Sequence, residues 1–351
     1  MTVPTGRKQV AAFGTGYLTT RILRDGPAYV WCRAPGPART GGFTPVPPAV
    51  RDALAALPAE GAGIVLGEEA TEGPGDGDGT GGAGAAERRY RVGSAYSLGH
   101  VLGNHQAAPH QWAALPRLMH QAGRTLRRVH ERLPAATVAD PPRGTRRLAG
   151  WLAGRAGPGG AGRLHREARS RLGAHRLERA AQWCAAFDSP DERGVFLLGG
   201  PGLASVVPDP AGAGCLILAG EELARGPAAY DLGWTLGELA EFRLLHFARG
   251  GPAVEELAAH CAEAGGALLR GYAGAGGPGG TGADRDATAR AAVLRMLTHA
   301  HDYAAFVDWT DQLTQYLDLL ADLIDHPATA VGDLAHEPTG HRPATHEPEE
   351  Q

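Results

Sequence analysis

The sequence predicts an α+β chain in two lobes, a small strand-rich N-terminal lobe and a larger helical C-terminal one. Three observations predict it. Residues 8–34 alternate in the manner of strands around glycine-containing turns. From residue 109 onward, long stretches carry apolar residues at helical spacing. Two short apolar runs, Val195–Leu198 and Cys215–Leu218, are set among those helices as a β-hairpin-like element. No repeat of about 20–50 residues is evident, which argues against a helical solenoid.

Gln9–Phe13 reads as the first strand and is followed by Gly14, Thr15 and Gly16. Tyr17–Leu23 and Ala28–Arg33 flank Asp25-Gly26-Pro27, and Asp-Gly is a turn signal, so these two strands form an antiparallel hairpin. Gly14 and Gly16 sit where a glycine-rich turn can lie over a ligand. The alternative is an ordinary pair of hairpin glycines, since a lone Gly-x-Gly is a weak signal. Residues 50–57 read as a short helix that Pro58 stops. Ile64–Leu66 and Arg89–Val92 are further strands, and the Gly-rich stretch 71–86 between them is expected to be a flexible surface loop. Leu98–Asn104 connects to the second lobe, so the first spans residues 1–104.

In Pro109–Leu133 the residues Leu115, Leu118, Met119, Ala122, Leu126 and Val129 make one apolar face of a core helix. Helices follow at about 146–153 and 163–187, then the hairpin region 195–222. Asp231–Phe247, Ala253–Tyr272 and Ala287–Leu323 are the closing helices, with a Gly-rich linker at 273–282. This lobe runs over 105–326, and the Pro/His/Glu-rich stretch 327–351 is expected to be a disordered tail.

Of 351 residues, 43% are hydrophobic and 21% charged, the balance of a soluble globular protein. A net charge of -4 supplies no basic field to hold nucleic acid. No apolar run approaches the roughly 18 residues that span a bilayer, and the first residues lack the apolar core of a signal peptide. Cys32, Cys184, Cys215 and Cys261 are far apart and read as reduced, buried thiols. A cytoplasmic protein with neither nucleic acid nor membrane as partner is therefore expected. Only one lysine, Lys8, is present, so a site that needs a buried lysine can use no other.

Three stretches carry a family resemblance. Residues 13–33, FGTGYLTTRILRDGPAYVWCR, resemble the first three strands of the aminoglycoside phosphotransferase and fructosamine kinase group. LRRVHERLP, with Leu126 and His130, resembles that group's helix end. Residues 194–241 resemble its catalytic hairpin and the helix after it. The resemblance implies a two-lobed protein-kinase-like fold of the aminoglycoside phosphotransferase type, with ATP and Mg2+ as cofactors. Phosphoryl transfer needs a cation on the phosphates, an Asp to accept the hydroxyl proton, and an Asn with an acidic residue to hold magnesium.

Carried over residue by residue, these parts are mostly missing. The third-strand lysine falls near Arg33, which with Gly14 and Gly16 makes up the nucleotide-binding candidates. The proton acceptor falls on Gly200, the Asn on Ser205, and the metal-binding Asp near Ala219. Glu221 and Glu222 follow at once and are the candidate metal ligands, the alternative being solvated turn residues. His130 and Asp231 are expected to be structural. Glu238 and Glu241 lie three apart on one helix face, where they can receive a basic peptide or, as the better expectation, pair with arginines.

A divergent branch of this fold, the kinase-like proteins of class V lanthipeptide and thioamide-containing peptide pathways, resembles the chain more closely. Its GED-type strand end and DLGW-x-x-GEL-x-E helix correspond here to Ala219–Glu222 and Asp231–Glu241. That resemblance implies a precursor peptide and an effector-like lyase as partners in Ser/Thr dehydration. Three readings stand: a degenerate kinase-like protein that binds the peptide, an active phosphotransferase with a rearranged site, and an interaction scaffold outside peptide maturation. Loss of a general base and of a charge-stabilising group typically costs about 10²–10⁴ each in rate, which puts the first ahead.

Overall fold

In a computed structural model of the protein, residues 7–57, 62–70, 87–103, 112–189, 194–210, 212, 214–247, 252–274 and 284–332 are described. The chain opens as an antiparallel meander of β1 (Lys8–Gly14), β2 (Leu18–Asp25) and β3 (Ala28–Pro35). The turn at Asp25-Gly26 is as expected: Gly26 takes a positive φ of 63° and Asp25 faces Ala28. After α1 (Pro48–Ala55) and β4 (Ala62–Leu66) come β5 (Glu68–Ala70) and β6 (Glu87–Val92). They complete a five-stranded sheet in the order β1-β2-β3-β6-β5.

Alternation decides which face of this sheet is buried. Ile22, Trp31, Tyr90 and Val92 point inward and pack against Val207 and Leu218 from the second lobe. The indole N–H of Trp31 is satisfied by the Ser94 carbonyl at 2.9 Å, as a buried donor must be. The sheet is thereby joined to the hairpin region through a small shared core.

β4 lies outside this sheet. It pairs in parallel with β9 (Cys215–Ala219), whose other edge takes β8 (Val206–Pro208) antiparallel. β7 (Val195–Leu197) is not the partner of β9 either; it pairs with β10 (Ala224–Gly226). Thr125, buried in a helix below, accounts for part of this by donating to the Ala62 carbonyl at 2.8 Å, which anchors the start of β4 in the helical lobe.

That lobe is built from α2 (Leu98–Gly103), α3 (Leu115–Arg132), α4 (Arg143–Leu152), α5 (Ala161–Arg171) and α6 (Gly173–Asp188) before the hairpin. After it come α7 (Ala229–Phe247), α8 (Pro252–Ala273), α9 (Arg285–Phe306), α10 (Gln312–Asp325) and α11 (Ala328–Val331). The apolar face expected of α3 is buried at all six named positions. Two stretches read as single helices are broken. Gly173, at φ 74°, separates α5 from α6, and Val307–Asp311, whose Asp308 and Asp311 hold Trp309 N–H groups, separates α9 from α10. The tail also begins later than residue 327, because Ala330 and Val331 are buried in the core. Residues 71–86 and 333–351 lie outside the described ones.

Candidate functional site

The hairpin tip is held from below by one buried carboxylate. Asp231, at the start of α7, accepts from the backbone N–H of Leu198 at 2.8 Å and of Gly200 at 2.7 Å. His130 Nε2 lies 3.2 Å from the same carboxylate, and His130 Nδ1 is 3.0 Å from the Tyr272 hydroxyl. These two residues fasten α3, α7 and α8 to the hairpin. Gly199 and Gly200 both take positive φ, 90° and 82°, which a residue with a β-carbon adopts only with strain.

Space excludes a side chain at both positions. A β-carbon on Gly199 would meet the Glu222 carbonyl, and one on Gly200 would stand 2.7 Å from the Trp234 indole. Gly200 is thus roofed by a tryptophan one turn along α7 from Asp231. Glu238, a further turn on, accepts from the Leu203 N–H at 2.5 Å and from Arg295 Nη2 at 2.6 Å. The acids of α7 pair with an arginine, as expected, and also fix the hairpin backbone.

Arg33, Glu221 and Glu222 line one cavity of about 290 Å³ between the lobes. Arg33 is buried; it donates to Glu221 Oε1 at 3.0 Å, to Ser205 Oγ at 3.1 Å and to the Ala204 carbonyl at 2.9 Å. Tyr90 donates to the same Glu221 oxygen at 2.8 Å. Glu222 is taken by Arg39 at 3.0 Å and by the Tyr17 hydroxyl at 2.5 Å. The Tyr17 ring lies between two guanidiniums, with Arg39 4.4 Å and Arg147 4.2 Å from its centroid. Arg147 also donates to the Tyr17 oxygen at 2.9 Å and grips Asp302 with two bonds of 2.9 and 2.7 Å.

These pairings set the protonation states. Burial, reinforced by the charge of Glu222, pushes the Tyr17 phenol well above its ordinary range, so it stays a donor. Burial would raise Asp302, but Arg147 and His301 outweigh it and hold the carboxyl well below the usual carboxylate range. Glu241 is lowered in the same sense: His299 and Arg295 overcome its burial.

Gly16 and Gly14 are placed differently. Gly16 donates its N–H to the Phe306 carbonyl at 2.7 Å, docking the turn on the end of α9, while Gly14 is exposed and does not line the cavity. It is Tyr17, the next residue, that enters. Ala219 lines the cavity but has no ligand atom, and Ser205 is engaged by Arg33. Among the described residues no group of three or more His, Cys, Asp or Glu side chains can hold a metal ion. The donor set expected for Mg2+-ATP does not fit: both candidate carboxylates are already neutralised by arginines. Sequence reasoning gave no role to Tyr17, Arg39, Arg147, Trp234, Arg295 and Asp302, which are brought together from five separate segments; of these, only Trp234 lies in the helix motif that was singled out.

The fold is of the aminoglycoside phosphotransferase-like type, mixed α+β with a small antiparallel sheet and a larger helical part. Spectinomycin phosphotransferase, solved with ADP and spectinomycin, matches with a TM-score of 0.50 at 9% identity over 92% of each chain. Ethanolamine kinase of Plasmodium vivax matches with a TM-score of 0.50 at 10% identity, over 91% of this chain and 82% of that one. No family model matches the chain, and no curated protein matches it in sequence. Among the described residues no helix is long and apolar enough to cross a membrane.

Proposed function

We propose that the chain is a kinase-fold protein that has given up phosphoryl transfer and binds a precursor peptide in lanthipeptide-type maturation, acting beside a lyase partner in Ser/Thr dehydration. The observation that carries the loss of chemistry is the packing of Trp234 on Gly200, which occupies the place a proton acceptor would need. The Arg33–Glu221 and Arg39–Glu222 pairs support it, since a nucleotide and its metal would have to displace both. The peptide role rests on the family likeness of Ala219–Glu222 and Asp231–Glu241. In this structure Asp231, Trp234 and Glu238 of that helix each hold the hairpin tip, so the recurring residues keep the shape of the tip rather than a reactive group.

The experiment is a pull-down of a lanthipeptide-type precursor peptide, with and without a lyase, paired with incubation of peptide, ATP and Mg2+ followed by mass spectrometry. Peptide retained without added phosphate is the expected result. Failure of the peptide to bind in either condition removes the proposal. The second reading, an active phosphotransferase with a rearranged site, draws on the convergence of Arg33, Glu221 and Glu222 in one cavity. Phosphate additions that vanish in Glu222→Ala, with the variant shown folded by circular dichroism, would establish that reading instead.

A further inference from the structure

A second cavity, of about 1030 Å³, shares with the ion-pair cleft the wall formed by Ala204, Glu238, Arg295 and His299. Its volume sits at the upper end of the range of ligand pockets, about 300–1,000 Å³. Phe13, Phe242, Tyr316 and Leu319 give it aromatic and aliphatic walls, and Gln312 and Gln315 add amides. Its charged groups are spoken for: Glu238 pairs with Arg295, and Glu241 pairs with His299 through Nδ1. With both carboxylates held by Arg295 and His299 and the remaining walls apolar or amide, an occupant that fits it carries apolar side chains there. The Nδ1 contact leaves Nε2 as the remaining polar atom of the His299 ring.

Phe13 links this cavity to a sheet edge. It lies near the end of β1, which pairs among the described residues with β2 alone. β1 is exposed along nearly its whole length, with Val10 and Phe13 each 44% exposed. An edge strand presents a row of unpaired N–H and C=O groups that another chain can pair with, and natural edges are commonly blunted by bulges and lysines. Here Lys8 and a bulge between Gln9 and Ala11 blunt only the first half. Ala11–Gly14 runs in unbroken register toward the cavity.

We propose that an extended, apolar peptide segment docks by strand addition along Ala11–Gly14 and puts alternate side chains into the larger cavity, with His299 and the two glutamines meeting its main chain. A small molecule could use the cavity but not the edge; a peptide uses both. The site rests on the reading of the chain as a peptide-binding protein and gives that reading a location.

The test uses the full chain and short overlapping synthetic segments of the precursor peptide, labelled with fluorescein and followed by anisotropy. At least one segment should bind, and Phe13→Ala and Gln315→Ala, each checked for an unchanged melting temperature, should weaken it about tenfold, as loss of an interface anchor does. Hydrogen exchange on the wild-type chain should slow at the amides of residues 11–14 when the segment is added. Equal binding by both variants, with those amides unprotected, overturns the site while leaving peptide binding intact. No binding of any segment to the wild-type chain overturns site and function together.

Discussion

The indole of Trp234 lies across the backbone of Gly200, so close that a β-carbon on the glycine would stand 2.7 Å from the ring. Restoring an acid there therefore meets two penalties, the strain of a positive φ and the overpacking of a tryptophan. Gly200→Asp should lower stability by about 2–4 kcal/mol on those grounds and should not confer phosphotransfer. Urea denaturation and mass spectrometry of peptide after incubation with ATP and Mg2+ are the measurements. A variant as stable as the parent would mean that Trp234 swings aside freely.

The pair Arg39–Glu222 carries the next prediction. The Arg39 side chain is 2% exposed, so removing its partner strands a buried cation beside Tyr17. Breaking a buried pair from one side costs about 3–5 kcal/mol. Glu222 is itself 20% exposed, and Glu222→Ala should fall somewhat lower, at about 2–4 kcal/mol. Combining it with Arg39→Ala in a double-mutant cycle should give clear coupling, read from urea midpoints. Additive losses would show that the two side chains act independently.

Mg2+-ATP should leave the melting temperature of the parent chain unchanged. A ligand that binds only the folded state raises stability by mass action, by about 2.7 kcal/mol when present at a hundred times its dissociation constant. Here Glu221 is held by Arg33 and Tyr90, and Glu222 by Arg39 and Tyr17, so the metal finds no free carboxylate among these four contacts. A thermal scan with and without nucleotide and magnesium reads the outcome. A reproducible upward shift would place the active reading ahead.

How much of this could be read from residues alone follows from where the signals lie. The β1–β3 meander and the face of α3 came from short-range patterns, alternation around Asp25-Gly26 and apolar spacing from Leu115 to Val129, which the fold then obeyed. The parallel pairing of β4 with β9 joins residues about 150 positions apart, and no local pattern encodes a partner at that distance. The site divides in the same way. Arg33, Glu221 and Glu222 were singled out through the family resemblance, as nucleotide and metal ligands; in the fold they share one cavity, where Arg33 pairs with Glu221 and Glu222 pairs with Arg39. Arg39, Arg147 and Asp302 come from a loop and two helices whose local sequence says only that an ion occupies the surface, and their meeting around Tyr17 is a property of packing.

Asp231 should be the residue whose loss is least tolerated in this region. It is fully buried and accepts two backbone N–H groups as well as the contact with His130. Asp231→Ala leaves the buried Leu198 donor and the half-buried Gly200 donor unpaired, at about 1–3 kcal/mol for the former and less for the latter. Asp231→Asn keeps an acceptor oxygen and should lose less. Circular dichroism melts of both variants decide it: if alanine and asparagine destabilise equally, the carboxylate's geometry rather than its acceptor capacity is what matters.

Acid should unfold the chain through Asp302 and Glu241. Both carboxyls are held below their ordinary values in the folded state, Asp302 by Arg147 and His301 against its burial, Glu241 by His299 and Arg295 against its own. A carboxyl with a lowered folded pKa binds fewer protons folded than unfolded, so its contribution is fully present above the unfolded value. The ordinary values are 3.8 for Asp and 4.5 for Glu, so the contribution begins to fall as pH drops into that range and is lost as it passes through the lowered ones. Urea midpoints should therefore be steady down to about pH 5 and decline below it. Asp302→Asn removes one of the titrating groups, which also include Asp25, Glu87 and Asp325; its midpoint should start lower and fall less steeply over the same acid range. Parallel acid limbs for the parent and the variant would show that Asp302 is not one of the groups driving the transition.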